Sequence, residues 1–189
     1  MKILVACEKS KRVAKAFRNK GHIAYSCDIL PPEDGNYEWF IQDNVRNHLC
    51  DGWDMMIAHP DCTTLANSGV RWLFERDDRF EQMVKDCEFF NLLLNAPISK
   101  IAIENPIQHR YARQYIRPPD QIIQPYYFGD HERKATCLWL IGLPPLLSKF
   151  TGGDDIKQSV FYEPPSPERK ANRARTFYGI AQAMAEQWG

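Results

Sequence analysis

Apolar residues in this chain fall into short continuous runs separated by polar turns bearing proline and glycine. KILVA (2–6) is the first run. CEKSKRVAKAFRNKG then changes period: Val13, Ala16 and Phe17 share one face of a helix that ends at Gly21. HIAYSCD (22–28) reads as a second strand, YEWFIQDNV (37–45) contains a weaker third, and WDMMIAH (53–59) forms a fourth. Residues 77–96 align Phe80, Met83, Val84, Cys87, Phe90 and Leu94 on one stripe, which predicts an amphipathic helix against a core. KIAIEN (100–105), QIIQP (121–125) and ATCLWLIG (135–142) supply three more strands. Phe177, Ile180, Ala181, Met184, Ala185 and Trp188 predict a last helix at about 175–188.

Strands alternating with helices predict an α/β fold: a mostly parallel sheet covered by helices on both faces. Such sheets gather ligands at the carboxyl ends of their strands. The polar residues just past each strand, Glu8, Asp28, Asp43, Cys62 and Glu104-Asn105, should therefore converge on one rim. The length of 189 residues suits one domain spanning 1–189. Residues 144–170 are rich in proline and glycine and weakly periodic, which predicts long loops within that domain.

Charge adds a constraint. Lysine plus arginine and aspartate plus glutamate number 24 each, so any polyanion must meet a local patch. No apolar run approaches the ~20 residues that span a bilayer, and no signal peptide is evident, so a cytoplasmic location is expected. The six cysteines form no C-x-x-C pair. His59 and Cys62 are spaced like half a zinc site that nothing completes, so no metal is expected.

The chemistry rests on two strand ends. Cys62 follows the fourth strand, and Glu104-Asn105 follows the fifth. A thiol paired with a carboxylic acid and an amide suits attack on an electron-poor ring. The thiolate adds at C6 of a pyrimidine, and the acid supplies a proton or hydrogen bond at N3, which stabilises charge developing at C5. That carbon then accepts a methyl group from a sulfonium donor.

These residues carry a family resemblance. HPDCTTLANSG resembles the Pro-Pro-Cys catalytic loop of the cytosine-C5 DNA methyltransferases, above all the small methylase-like proteins of phages and prophages. IAIENP resembles their Glu-Asn-Val strand end, HERKATCLWLIG a later arginine-bearing strand motif, and RTFYGIAQAMAEQ the C-terminal helix motif. The four matches are collinear over residues 54–187. ILVACEKSKRVAKAF and SCDI resemble the cofactor-binding strands more loosely. The resemblance implies a Rossmann-like methyltransferase fold, S-adenosyl-L-methionine as cofactor, and DNA or a smaller nucleotide as substrate in a bacterial host cell. It implies Cys62 as nucleophile, Glu104 as the N3 partner, Asn105 as an orienting group, and Arg133 as a group holding the base or the glutamate. Glu8 and Ser10 would lie at the methionine moiety, Asp28 at the ribose hydroxyls and Asp43 or Asn44 at the adenine, with Pro60 beside the cofactor. A homodimer would be one way to complete a substrate groove.

Three features depart from the family pattern. The loop after the first strand, Cys7 to Arg12, contains no glycine. Asp61 stands where the family has proline, and a carboxylate there disfavours the neighbouring thiolate. Only about forty residues separate KATCLWL from the C-terminal helix, where the family carries a long target-recognition region. SPERKANRAR (166–175), with Arg169, Lys170, Arg173 and Arg175 against Glu168, reads as a solvated face or a phosphate contact. These departures keep a second reading open: a catalytically impaired phage accessory protein that binds the cofactor, a nucleotide or a host protein. An amino-methyltransferase ranks third, because HPDC lacks the aromatic residue of its loop.

Overall fold

The computed structural model describes residues 1–149, 155–167 and 169–189. One seven-stranded sheet organises the chain: β1 (Lys2–Ala6), β2 (Ile23–Asp28), β3 (Phe40–Gln42), β4 (Met55–Ala58), β5 (Ile101–Pro106), β6 (Gln121–Ile123) and β7 (Thr136–Ile141). Its spatial order is β3-β2-β1-β4-β5-β7-β6. The pairings are parallel from β3 through β5, whereas β7 runs antiparallel to both β5 and β6. The order turns back at β1 and β4, which makes their carboxyl ends the place where a crevice opens.

Both faces of the sheet are covered. On one, Leu4, Met56, Ile103 and Trp139 pack against Met83, Cys87, Phe90 and Leu94 of α2 (Arg79–Leu94). On the other, Ile3, Val5, Ile57 and Leu138 meet Val13 and Phe17 of α1 (Arg12–Arg18) and Ile180, Met184 and Trp188 of α5 (Tyr178–Trp188). Burial on both sides explains why β1 and β4 read as unbroken apolar runs. Phe80, placed on the α2 stripe by its spacing, is 40% exposed, and Leu93 is buried there instead.

Three expected boundaries are corrected. The third strand, sought within 37–45, contracts to Phe40–Gln42. Trp39 before it is left-handed (φ 60°), and after it the Asp43 carboxylate takes the Asn44 amide into a turn. The last helix starts at Tyr178, because Phe177 is extended and breaks it from a separate α4 (Arg169–Ala174). Within the expected loops of 144–170 lie a short α3 (Ser159–Tyr162) and the start of α4. Residues 150–154 of that segment, and Glu168, lie outside the described residues.

Candidate active site

The turn that carries Cys62 is built from both sides. At its start, His59 N–H donates to the Ala6 carbonyl of β1 at 2.9 Å. Asn105 Nδ2, one strand over, donates to the Pro60 carbonyl at 2.9 Å. The amides of Leu65 and Ala66 close the turn onto the Cys62 carbonyl at 3.0 and 2.9 Å. Beyond it, Asn67 N donates to Ile107 O, His109 N to Leu65 O, and Arg79 Nη2 to Thr63 O. The buried His109 also holds the Thr64 carbonyl through Nε2 at 2.7 Å. Gly69 lets this loop close: a Cβ there would lie 2.5 Å from the Thr63 carbonyl oxygen. The thiol is thus held on a scaffold with few degrees of freedom.

Asp61 is tied as well. One of its oxygens accepts the Thr63 amide at 2.8 Å and the Thr63 hydroxyl; the other accepts Lys170 Nζ of α4 at 2.8 Å. Burial raises the Cys62 thiol above its ordinary range, and Asp61 raises it further, while Lys134 pulls the other way. Cys62 is therefore a protonated thiol at neutral pH in the resting protein.

Glu104 occupies a different electrostatic state. His59 Nδ1 lies 2.9 Å from its Oε2, and the Thr176 hydroxyl donates to the same oxygen at 2.9 Å. Burial would raise this carboxyl. The hydrogen bond and charge of His59, then Lys134 and Thr176, outweigh it and hold Glu104 at about 2. Burial opposes a charged His59, but Glu104 and then Glu8 overcome it, so the imidazole titrates above its ordinary range. Each partner favours the charged form of the other: the carboxyl is drawn down and the imidazole is drawn up. The remaining ring nitrogen of His59, Nε2, and the Asn105 Oδ1 are buried without a hydrogen-bond partner among the described residues.

The cofactor-side residues divide by what already holds them. Glu8 accepts Val13 N at 2.7 Å, Ala14 N at 3.4 Å and the Ser26 hydroxyl at 2.9 Å, capping α1 in place of Lys11. Ser10 Oγ accepts Arg12 N. Asp43 accepts the Asn44 amide, Asn47 Nδ2 and His48 Nε2, and Asn44 caps the turn Val45–His48. Asp28 accepts the Leu30 amide through Oδ1 at 2.9 Å, and burial raises its carboxyl.

The loop without glycine still follows a glycine-like path. Cys7 (φ 59°) and Lys11 (φ 57°) are both left-handed, a conformation that costs an ordinary residue about 1–2 kcal/mol. Lys11 is anchored there by its own side chain, only 2% exposed, which bonds Asn36 O at 2.6 Å and Asp34 at 2.7 Å.

One cavity of about 1510 Å³ joins these parts. Glu8, Ser10, Asp28, Asp43, Asn44, Pro60, Cys62, Glu104, Asn105 and Arg133 all line it. Single-ligand pockets span roughly 300–1,000 Å³, so there is room for two ligands side by side. Arg133 faces this space, but the cation acting on Glu104 is its neighbour Lys134, whose Nζ donates to Arg173 O at 2.8 Å. In the basic stretch, Arg169, Lys170, Arg173 and Arg175 line the cavity while none of the α4 residues is buried.

The sequence offered His59 only as half a zinc site and Lys170 only within the basic stretch, and it did not single out Lys134 or Thr176. His59 was legible by position, since it sits past β4 as Glu104 sits at the end of β5. Nothing local marks Thr176, which is 72 residues from Glu104. Among the described residues no cluster of three or more His, Cys, Asp or Glu could hold a metal ion. No helix there is long and apolar enough to cross a membrane.

No family model and no curated protein matches the chain. Among solved structures it is similar to a candidate DNA modification methyltransferase encoded within a prophage (E. coli), with a TM-score of 0.53 and 13% identity. The likeness covers 87% of this chain and 56% of that one, so this chain spans just over half of that protein's length. With the strand order above, it makes the fold a methyltransferase-like, Rossmann-type α/β sheet.

Proposed function

We propose that this protein is a pyrimidine C5-methyltransferase that uses Cys62 as a covalent nucleophile and S-adenosyl-L-methionine as methyl donor, with cytosine in DNA or a nucleotide as its target. The observation that carries the reading is the meeting of Cys62 with Glu104 and Asn105 at adjacent strand ends, where Asn105 clamps the nucleophile turn through the Pro60 carbonyl.

The cavity suits the cofactor. Its size admits a second ligand, and Asp28 lines it at the end of β2, the usual place for ribose hydroxyls. Ser10, Asn44 and Pro60 complete that half, while Glu8 and Asp43 shape it through the amides they hold. The bound cofactor would supply an electrophilic methyl group for C5.

The chain's own residues handle charge and protons. Cys62 must lose its proton as Sγ adds to C6, and Lys134 is the cation that favours the thiolate. Glu104, already ionised, accepts a hydrogen bond from the exocyclic amine of cytosine. It leaves the role of proton donor toward N3 to the imidazolium of His59, which it holds. Transfer of the C5 proton to solvent in the open cavity then lets the C–H electron pair restore the C5–C6 double bond as the C6–S bond breaks and Sγ leaves as the thiolate.

The raised Cys62 thiol and the adjacent Asp61 favour one other reading, a binding protein in which the nucleophile is silent. Covalent trapping separates them. Protein and S-adenosyl-L-methionine are incubated with an oligonucleotide carrying 5-fluorocytosine, beside a Cys62→Ser control. A Cys62-dependent adduct is expected. Absence of an adduct together with absence of cofactor binding by calorimetry would refute the enzyme reading.

A further inference from the structure

The protein is formally neutral, but its cavity is not. Among the described residues the lining carries 11 lysines and arginines against 7 acids. Aromatic rings are interleaved with this charge. Trp72, in the turn Asn67–Leu73, lines the cavity with Arg71 4.1 Å and Arg76 4.6 Å from its ring centroid. Phe161 of α3 lines it too while 67% exposed, which puts it at the rim, and its ring lies 5.0 Å from the 74% exposed Tyr162. Rings that stack on bases, alternating with cations that follow phosphates, make the combination that binds unpaired nucleic acid.

A second observation concerns access. α4 is pinned at three points: Lys170 to Asp61 beside the nucleophile, the Arg173 carbonyl to Lys134, and Arg175 just past its end to Glu33 at 2.8 Å. It forms a strap over the turn that carries Cys62. A duplex would have to turn its target base out of the stack and beneath this strap. Between β7 and α5 the described chain offers only α3 and α4 for that task. An unpaired base needs no extrusion. A free mononucleotide, in turn, would leave Trp72 and Phe161, on separate elements, without bases to stack.

We infer that the mouth of this cavity binds a single nucleic acid strand, and that unpaired DNA is the polymer presented to Cys62. The inference rests on the methyltransferase reading for its chemistry, but the binding surface can be tested apart from it.

The test is fluorescence anisotropy of the full chain with a labelled cytosine-containing 12-mer, the same sequence as duplex, and deoxycytidine monophosphate as competitor, across a salt series. The single strand should bind at least tenfold more tightly than the duplex. Trp72→Ala and Phe161→Ala should each weaken it about tenfold, with Trp72→Phe retaining most of the affinity and circular dichroism confirming that each variant is folded. Arg173→Ala should lower the slope of log K against log salt by about 0.7. Duplex binding equal to or tighter than single-strand binding would overturn the inference. So would competition by the mononucleotide at parity with the 12-mer, or unchanged binding by both alanine variants. Cys62→Ser should keep the strand preference. Strand preference with neither a fluorocytosine adduct nor cofactor binding would refute the methyltransferase reading and leave this surface standing.

Discussion

His59 Nδ1 and Glu104 Oε2 lie 2.9 Å apart across 45 residues of sequence, and this contact sets the charge of the site. Glu104 was expected as the acid of the reaction. Its neighbours hold it at about 2, and its negative charge favours the protonated form of His59.

This pair makes stability depend on pH in two directions. Glu104 titrates lower folded than unfolded, so its contribution is complete above pH ~4.5 and is lost as pH falls toward 2. His59 titrates higher folded than unfolded, so its contribution is complete below pH ~6.5 and is lost as pH rises through its folded value. Glu104→Gln should remove both limbs from a plot of unfolding midpoint against pH, at a cost of about 3 kcal/mol near pH 5.5. An unchanged profile would show that the pair is not ionised.

Removing the charge at position 61 should activate the thiol. Asp61→Asn deletes the carboxylate that, after burial, most raises Cys62. Peptide-resolved iodoacetamide labelling near pH 8 should then modify Cys62 faster, because a lowered thiol pKa raises the thiolate fraction. The exposed Cys50 should be unaffected and serves as the internal reference.

Gly69→Ala should disorganise the nucleophile turn. Its Cβ would meet the Thr63 carbonyl at 2.5 Å, and backbone on both sides limits relief. A loss of about 1–3 kcal/mol in denaturant unfolding is expected, with adduct formation at Cys62 reduced by a larger factor than stability alone explains.

Asp34→Ala should loosen the rim formed by the loop after β2. It leaves the buried Lys11 ammonium with the Asn36 carbonyl as its hydrogen-bond acceptor among the described residues. Hydrogen exchange over residues 29–36 should accelerate, while exchange in β1 and β4 stays slow.

Much of this architecture was legible in the chain. The runs 2–6 and 53–59 predicted central strands because both faces of β1 and β4 are buried, which removes any polar alternation. The polar residues past each strand predicted the rim, and those singled out there line one cavity. The missing glycines of the first loop were legible too, but not their consequence. Cys7 and Lys11 adopt the left-handed backbone regardless, with Lys11 anchored by the Asp34 it meets only in the fold.

The sequence by itself determined the sheet, the strand ends, and the thiol, carboxyl and amide among them, because period and punctuation are local properties. Only the tertiary structure decided their protonation states and who guards them. His59, Lys134, Lys170 and Thr176 reach Glu104 and Asp61 across long chain separations. Charge and hydrogen bonding act through space, and in a buried site the neighbours brought in by folding, more than residue type, determine which group holds the proton.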